Sequence, residues 1–362
     1  MNININKISN FYPEKSDINS DVFEVILEDE GHIRVCLLTY GATLCRLMIP
    51  NRNGQLENVV LSYENYRDYR NNPLYAGATL APAAGRIKRA SLPIQNQLCP
   101  LSANDGRHNL HGGFQSASYQ NWTIANNCKT DKQASVTFVL HLPHNLDGFP
   151  GNRTLSVRYT LTNRHSLEIA YQATTDVSTY INMSNHSYFN LSGDFTRSGL
   201  EQTLQIHADT YLENDTEHIP VYIKPCDHTP FDFRKPSVIC SRAAACPGDP
   251  QLINANGYNN AFLLQNNPTA PKRPSKALTL SDTISGRHLS LYTDQPSIVL
   301  YSGGYIGNSH LLAGGTTSTN SCAIALEPQD IPDVCHITPT RYHLTKPDNP
   351  YQRRILYSFG LN

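Results

Sequence analysis

The sequence predicts an all-β fold, built as a large antiparallel β-sandwich, on three observations. Apolar and polar residues alternate at period two through most of the chain, as half-buried strands require. Glycine and proline, 21 and 23 of the 362 residues, fall between those runs and supply turns. Helical patterning is scarce, with no long amphipathic stretch and no internal repeat.

The elements follow in order. Alternating runs at 22–27 and 33–38 read as the first strands. Tyr63, Tyr66 and Tyr69 recur at helical spacing for one or two turns, which suits packing better than a site. A strand is expected at 136–142. Leu155, Val157, Tyr159 and Leu161 alternate with polar residues, and Leu167, Ile169, Tyr171 and Ala173 resume the pattern after Asn163-Arg164-His165. Two half-buried strands joined by a short polar turn form a hairpin. Thr174-Thr175-Asp176 closes its second strand. Further strands are expected at 204–208, 261–264, 289–293 and 298–301. The polar, proline-broken segment 265–276 reads as an extended hairpin loop and not as a domain linker, because strands continue on both sides. Length alone suggests two domains, but sandwiches run long as one. The expectation is a single domain over residues 1–362.

Composition excludes several classes. The formal net charge is −1 and no basic tract occurs, which argues against nucleic acid as a partner. No apolar run is long enough to span a membrane, and the start lacks the apolar core of a signal peptide. Nine cysteines are scattered without CxxC spacing. That pattern fits neither a zinc site nor a disulfide scaffold, and points to reduced thiols in a cytoplasm.

Four stretches carry chemistry. Asn185-His186-Ser187-Tyr188-Phe189-Asn190-Leu191 sets an imidazole among amides, a hydroxyl and rings. Amides and hydroxyls bond sugar hydroxyls, rings cover C–H faces, and histidine moves protons near neutral pH. Alone, His186 reads as a structural or surface histidine, the usual role of a lone histidine in a β-rich chain. Glu327 follows the apolar run Cys322-Ala323-Ile324-Ala325-Leu326 and is expected at the end of a buried strand, aimed into a loop stiffened by Pro328 and Pro332. A carboxylate there serves as a general base, or faces water at a strand end. Asn109-Leu110-His111-Gly112-Gly113 places a second histidine before two glycines that permit a tight backbone; His111 is either a site or a turn residue. Gly85-Arg86-Ile87-Lys88-Arg89 offers the fixed guanidinium donors of Arg86, or an ordinary surface arginine.

These four, which run along the chain from Arg86 through His111 and His186 to Glu327, resemble the aldose 1-epimerase (galactose mutarotase) family. Tyr40-Gly41-Ala42-Thr43-Leu44, Pro50-Asn51-Arg52-Asn53-Gly54, Val59-Val60-Leu61-Ser62-Tyr63, Asp147-Gly148-Phe149-Pro150-Gly151 and Thr229-Pro230-Phe231-Asp232-Phe233-Arg234 extend the likeness over nearly the whole chain. The resemblance implies the galactose mutarotase-like supersandwich. It also implies interconversion of the α and β anomers of a hexose. A base takes the C1 hydroxyl proton, an acid protonates the ring oxygen, the ring opens to the aldehyde, and closure on the other face reverses both steps. No redox change occurs, so no cofactor and no metal is expected. By motif, Glu327 is the base and His186 the acid. Arg86, His111 and Asn259 are the substrate-binding residues. Trp122 stands near the family's stacking position, where core packing is an equal account.

Three positions depart from the family pattern: Asn259 stands where aspartate is usual, Val299 where many relatives carry glutamine, and Gly85 where many carry asparagine. They bear on which sugar is preferred more than on the reaction. Two alternatives remain at this level. One is a catalytically inert sugar-binding or regulatory protein. The other is an epimerase of phosphorylated sugars using Arg86 and Lys88. A monosaccharide is the expected partner, and the chain is expected to be a monomer or homodimer.

Overall fold

A computed structural model describes residues 1–9, 11–12, 21–95, 97–265 and 273–361. Three antiparallel sheets dominate. A nine-stranded sheet takes its strands in the order Thr123–Lys129, Gln133–Leu142, Arg153–Thr162, Ser166–Thr175, Tyr351–Leu361, Arg287–Thr293, Ser275–Ser281, Thr203–Ile206 and Ser237–Val238. A six-stranded sheet runs Tyr188–Phe189, Ile324–Gln329, Ser297–Tyr301, Asn259–Leu264, Ala208–Asn214 and Pro220–Pro225. A five-stranded sheet is formed by the segments Asn2–Lys7 to Leu56–Asn58 in chain order. Among the described residues, α-helix is confined to Ile239–Ala244, Pro250–Asn254 and Val334–Ile337. No helix among them is long and apolar enough to cross a membrane.

Period two explains how the sheets pack. Val157, Tyr159, Leu161, Leu167, Ile169 and Tyr171 are buried in one core that the five- and six-stranded sheets also enter through Leu44, Leu47, Phe262, Leu300 and Leu326. The hairpin Arg153–Thr162/Ser166–Thr175 keeps unbroken register from Arg153↔Thr175 to Thr162↔Ser166. Trp122 belongs to this core, and its indole N–H donates to the Ala117 carbonyl at 3.0 Å. It packs and does not reach the site. The tyrosines near 63–69 also pack: Tyr63 and Tyr69 are buried, with ring centroids 4.9 Å apart, beside the short 3₁₀ turn Tyr66–Arg70.

Two expectations need correction. The segment 265–276, of which 266–272 lie outside the described residues, does not close a hairpin. Asn259–Leu264 pairs with Ala208–Asn214 and Ser297–Tyr301, whereas Ser275–Ser281 pairs with Thr203–Ile206 and Arg287–Thr293 in the other sheet. Adjacent strands in sequence are here exchanged between sheets, which period-two patterning cannot reveal. Glu327, in turn, is not at a strand end. Its strand continues to Gln329, with Pro328 opposite Ile298. Proline is tolerated because the strand's other neighbour, Tyr188–Phe189, pairs only with Ile324 and Ala325, so position 328 is an edge on that side.

Candidate active site

The outward face of the six-stranded sheet forms the floor of a cleft of about 270 Å³. Alternation divides the residues of three strands. Phe262, Ile298, Leu300, Ile324 and Leu326 turn into the core, while Asn259, Ala261, Val299, Tyr301, Glu327 and Gln329 line the cleft. Register aligns Ala261, Val299 and Glu327 across the three strands. The sheet thus turns one face to the core and the other to a polar, aromatic-walled opening.

The same alternation sorts the motif around His186. His186 and Tyr188 line the cleft. Asn185, Ser187 and Asn190 do not, contrary to the expectation that their amides and hydroxyl bond a sugar. Asn185 Nδ2 donates to the Gly77 carbonyl at 2.8 Å, and Ser187 Oγ donates to Asn185 Oδ1 at 2.5 Å. Asn190 Nδ2 donates to the Cys322 carbonyl at 2.8 Å. These side chains hold the backbone that presents the imidazole. His186 is further fixed by its own N–H to the Ala78 carbonyl and by the Gly77 N–H to its carbonyl, both at 3.0 Å. Only glycine fits at 77, where a Cβ would lie 2.0 Å from the Leu44 carbonyl oxygen.

His111 reaches the cleft from the opposite wall, with φ +50° before Gly112 and Gly113 at +90° and +105°. A Cβ at Gly113 would meet the Asp147 carboxyl at 2.4 Å. His111 and Gly85 bond reciprocally: the His111 N–H donates to the Gly85 carbonyl at 3.0 Å, and the Gly85 N–H donates to His111 Nδ1 at 3.1 Å. Burial holds the His111 pKa well below 6.5, helped by His186 and Arg86. The ring is neutral, and because Nδ1 accepts, its proton sits on Nε2. His111 is therefore a fixed hydrogen-bond donor. Although His111, His186 and Glu327 lie close enough together to suggest a metal triad, a protonated Nε2 cannot ligate, and moving the proton to Nδ1 would set it against the Gly85 N–H. The donor set does not fit a metal.

Arg86 lines the cleft with its Nε 2.6 Å from Asp105 Oδ2. It is the only lysine or arginine among the described lining residues. Lys88 is not among them; its backbone N–H donates to Asp333 Oδ1 at 3.0 Å. Asn259 lines the cleft, and its backbone carbonyl accepts from Asn214 Nδ2 at 2.8 Å.

At the centre, His186 Nε2 stands 3.5 Å from Glu327 Oε1, with both residues buried. Burial pushes the Glu327 carboxyl from 4.5 up to about 8, which the positive charge of Arg86 only partly counters. Burial likewise pushes His186 from 6.5 down to about 4. Burial disfavours the charged form of each partner, and near neutral pH the pair holds one exchangeable proton between them. Desolvation works against the carboxylate and imidazolium expected from sequence, while their mutual attraction at 3.5 Å works for it. His186 Nδ1, Glu327 Oε2 and Gln329 Oε1 are buried without hydrogen-bond partners among the described residues.

All five site residues expected from sequence thus line one cleft. Sequence reasoning missed Tyr75, Asn214, His218, Tyr301, Tyr305 and Gln329. Tyr301 and Gln329 carried a signal, each lying two residues from a cleft position on the same strand. Tyr75, which stacks toward His186 at 6.2 Å, carried none.

The chain is similar to known proteins over most of its length. The sequence profile of the family described as Aldose 1-epimerase matches residues 24–358. The Aldose 1-epimerase of Streptococcus thermophilus is 33% identical over 321 residues, covering 87% of this chain and 88% of the relative. That of Escherichia coli K12 is 32% identical over 308 residues, covering 85% and 86%. The crystal structure of galactose 1-epimerase from Lactobacillus acidophilus NCFM superposes with a TM-score of 0.84 at 28% identity, covering 100% of this chain and 99% of that one.

Proposed function

This chain belongs to the aldose 1-epimerase family, and on that premise we propose that His186 and Glu327 form the acid–base pair with which it interconverts the anomers of a free aldohexose. The isomerase class follows from the family; the pair and its roles are our reading. The observation that carries it is the 3.5 Å approach of His186 Nε2 to Glu327 Oε1 at the cleft, with Nδ1 and Oε2 unpartnered among the described residues.

Ring opening uses the pair as carboxylate and imidazolium. Glu327 takes the proton from O1, His186 gives its proton to O5, the C1–O5 bond breaks, and C1=O1 forms. The pair is then carboxylic acid and imidazole. After rotation about C1–C2, O5 attacks the other face of C1, His186 takes the O5 proton and Glu327 returns one to O1. The form that burial favours, carboxylic acid and imidazole, corresponds to the open-chain end of this cycle. It differs from the ring-opening form only by transfer of one proton between the two side chains, which conserves the charge of the site. Each proton transfer supplies a rate factor of roughly 10²–10⁴. The fixed donor His111 and the guanidinium of Arg86 stabilise charge developing on the sugar oxygens. Tyr75, Tyr188 and Tyr301 cover its C–H faces.

Nothing in the cleft favours the alternatives. A phosphorylated sugar calls for gathered cations, and Arg86, the one lysine or arginine among the described lining residues, already pairs with Asp105. The proposed acid and base come from one chain, which fits a catalytic unit of a single chain, alone or within a homodimer. All nine cysteines are free thiols, which supports a reducing cytoplasm. The test is polarimetry of freshly dissolved α-anomers of several free and phosphorylated aldoses. Acceleration over the spontaneous rate is expected for at least one free aldohexose, and its absence for all of them refutes the proposal.

A further inference from the structure

The proton transfers above make no use of Gln329, yet its carboxamide is the least accounted-for polar group of the cleft. Strand Ile324–Gln329 shows alternate residues to the cleft, so Glu327 and Gln329 are consecutive on that face. They stand about 6–7 Å apart along the strand. Gln329 is 1% exposed. Its backbone is committed: the strand registers Gln329 with Ser297, and the Gln329 carbonyl accepts Ser297 Oγ at 3.0 Å. The side chain is not, since Oε1 is buried without a partner among the described residues. Buried amide oxygens are nearly always paired, and the open side here is the cleft. Gly85 makes the space. A Cβ at 85 would lie 3.0 Å from Gln329 Oε1 and 3.6 Å from Pro332 Cβ. The glycine therefore admits the amide and leaves that wall without a side chain of its own. Val299, on the neighbouring strand, offers the cleft no polar atom.

We propose that Gln329 is a specificity-determining residue whose carboxamide hydrogen-bonds a sugar hydroxyl remote from C1, on C3 or C4. The proposal rests on the mutarotase reading with Glu327 at O1. The spacing along the strand then carries Gln329 from the anomeric hydroxyl to the far side of the pyranose ring. An amide both donates and accepts, so it can bond that hydroxyl in either sense.

The experiment measures kcat and KM for an aldohexose and its 2-, 3- and 4-deoxy analogues, with wild type, Gln329→Leu and Gln329→Asn. Wild type is expected to lose roughly tenfold in kcat/KM on either the 3-deoxy or the 4-deoxy sugar, the size of one hydrogen bond. Gln329→Leu should lose roughly tenfold on the parent sugar, mainly in KM, and nothing further on that same deoxy sugar. Gln329→Asn, one methylene shorter, should act in the same direction. An equal loss on all four sugars marks a structural role and overturns the proposal, as does no loss, or a wild type indifferent to both deoxy positions. Should the leucine variant melt below the assay temperature, the asparagine variant decides alone. A wild type that accelerates no sugar refutes the mutarotase reading itself, which separates the two failures.

Discussion

Replacing Glu327 by glutamine separates the catalytic role of this carboxyl from what its burial costs the fold. The amide keeps the side chain's shape but cannot take a proton from O1, so turnover should fall by roughly 10²–10⁴. Stability should move the other way at high pH. Burial raises the folded carboxyl from 4.5 to about 8. A raised folded pKa means the contribution is fully present below pH 4.5 and is lost as pH rises through about 8, because the unfolded carboxyl ionises freely while the buried one resists. At about 1.4 kcal/mol for each tenfold in proton affinity, this difference reaches at most about 5 kcal/mol, and water entering the open cleft reduces it. His186 titrates oppositely, its contribution being present above pH 6.5 and lost as pH falls through about 4. It is present in both proteins and largely drops out of their difference between pH 5 and 9. Urea unfolding at those two pH values, followed by fluorescence, is the assay. The stability of Glu327→Gln relative to wild type should increase by up to about 4 kcal/mol from pH 5 to pH 9. Parallel pH profiles for the two proteins would show that Glu327 is not held protonated by burial, and the one-proton description of the pair would fall with it.

Other expectations follow from the same geometry. His186→Asn should cut turnover by roughly 10²–10⁴ without unfolding the protein, since no proton then reaches O5; turnover like wild type's, measured by polarimetry, contradicts the assignment. The pH–rate profile should be flat while the pair holds one proton and fall on both sides, below about 4 and above about 8; rising activity above pH 9 would rule this out. Asn259→Asp should reorder aldoses by KM while leaving the best kcat within about tenfold, because one charged hydrogen bond replaces a neutral one. A variant active where wild type is inert on every sugar would instead favour a binding protein. Activity should survive exhaustive chelation, since His111 presents a protonated Nε2; loss of turnover that one added metal restores would overturn that tautomer.

What the sequence determined by itself was local and periodic. The hairpin at 153–175 was legible because strand side chains alternate, and a one-residue slip would expose Tyr159 and Ile169 together. The order of the His186, Glu327, His111 and Arg86 stretches was legible as chemistry. The tertiary structure decided the rest. Alternation predicts that residues 185 and 187 share a face, but only packing shows that this face is the protein's interior, so Asn185 and Ser187 serve the backbone and not the sugar. It likewise ended Glu327's strand two residues late, because an edge on one side lets Pro328 stay in the ladder. The exchange of strands between sheets across 265–276 depends on partners far away in the chain. Tyr75 reaches His186 through a loop whose path no local pattern encodes. Most of all, the pull of burial against the charges of both Glu327 and His186 is a property of the tertiary structure. A side chain's charge depends on how much water its neighbours exclude, and those neighbours are assembled only when the sheets close.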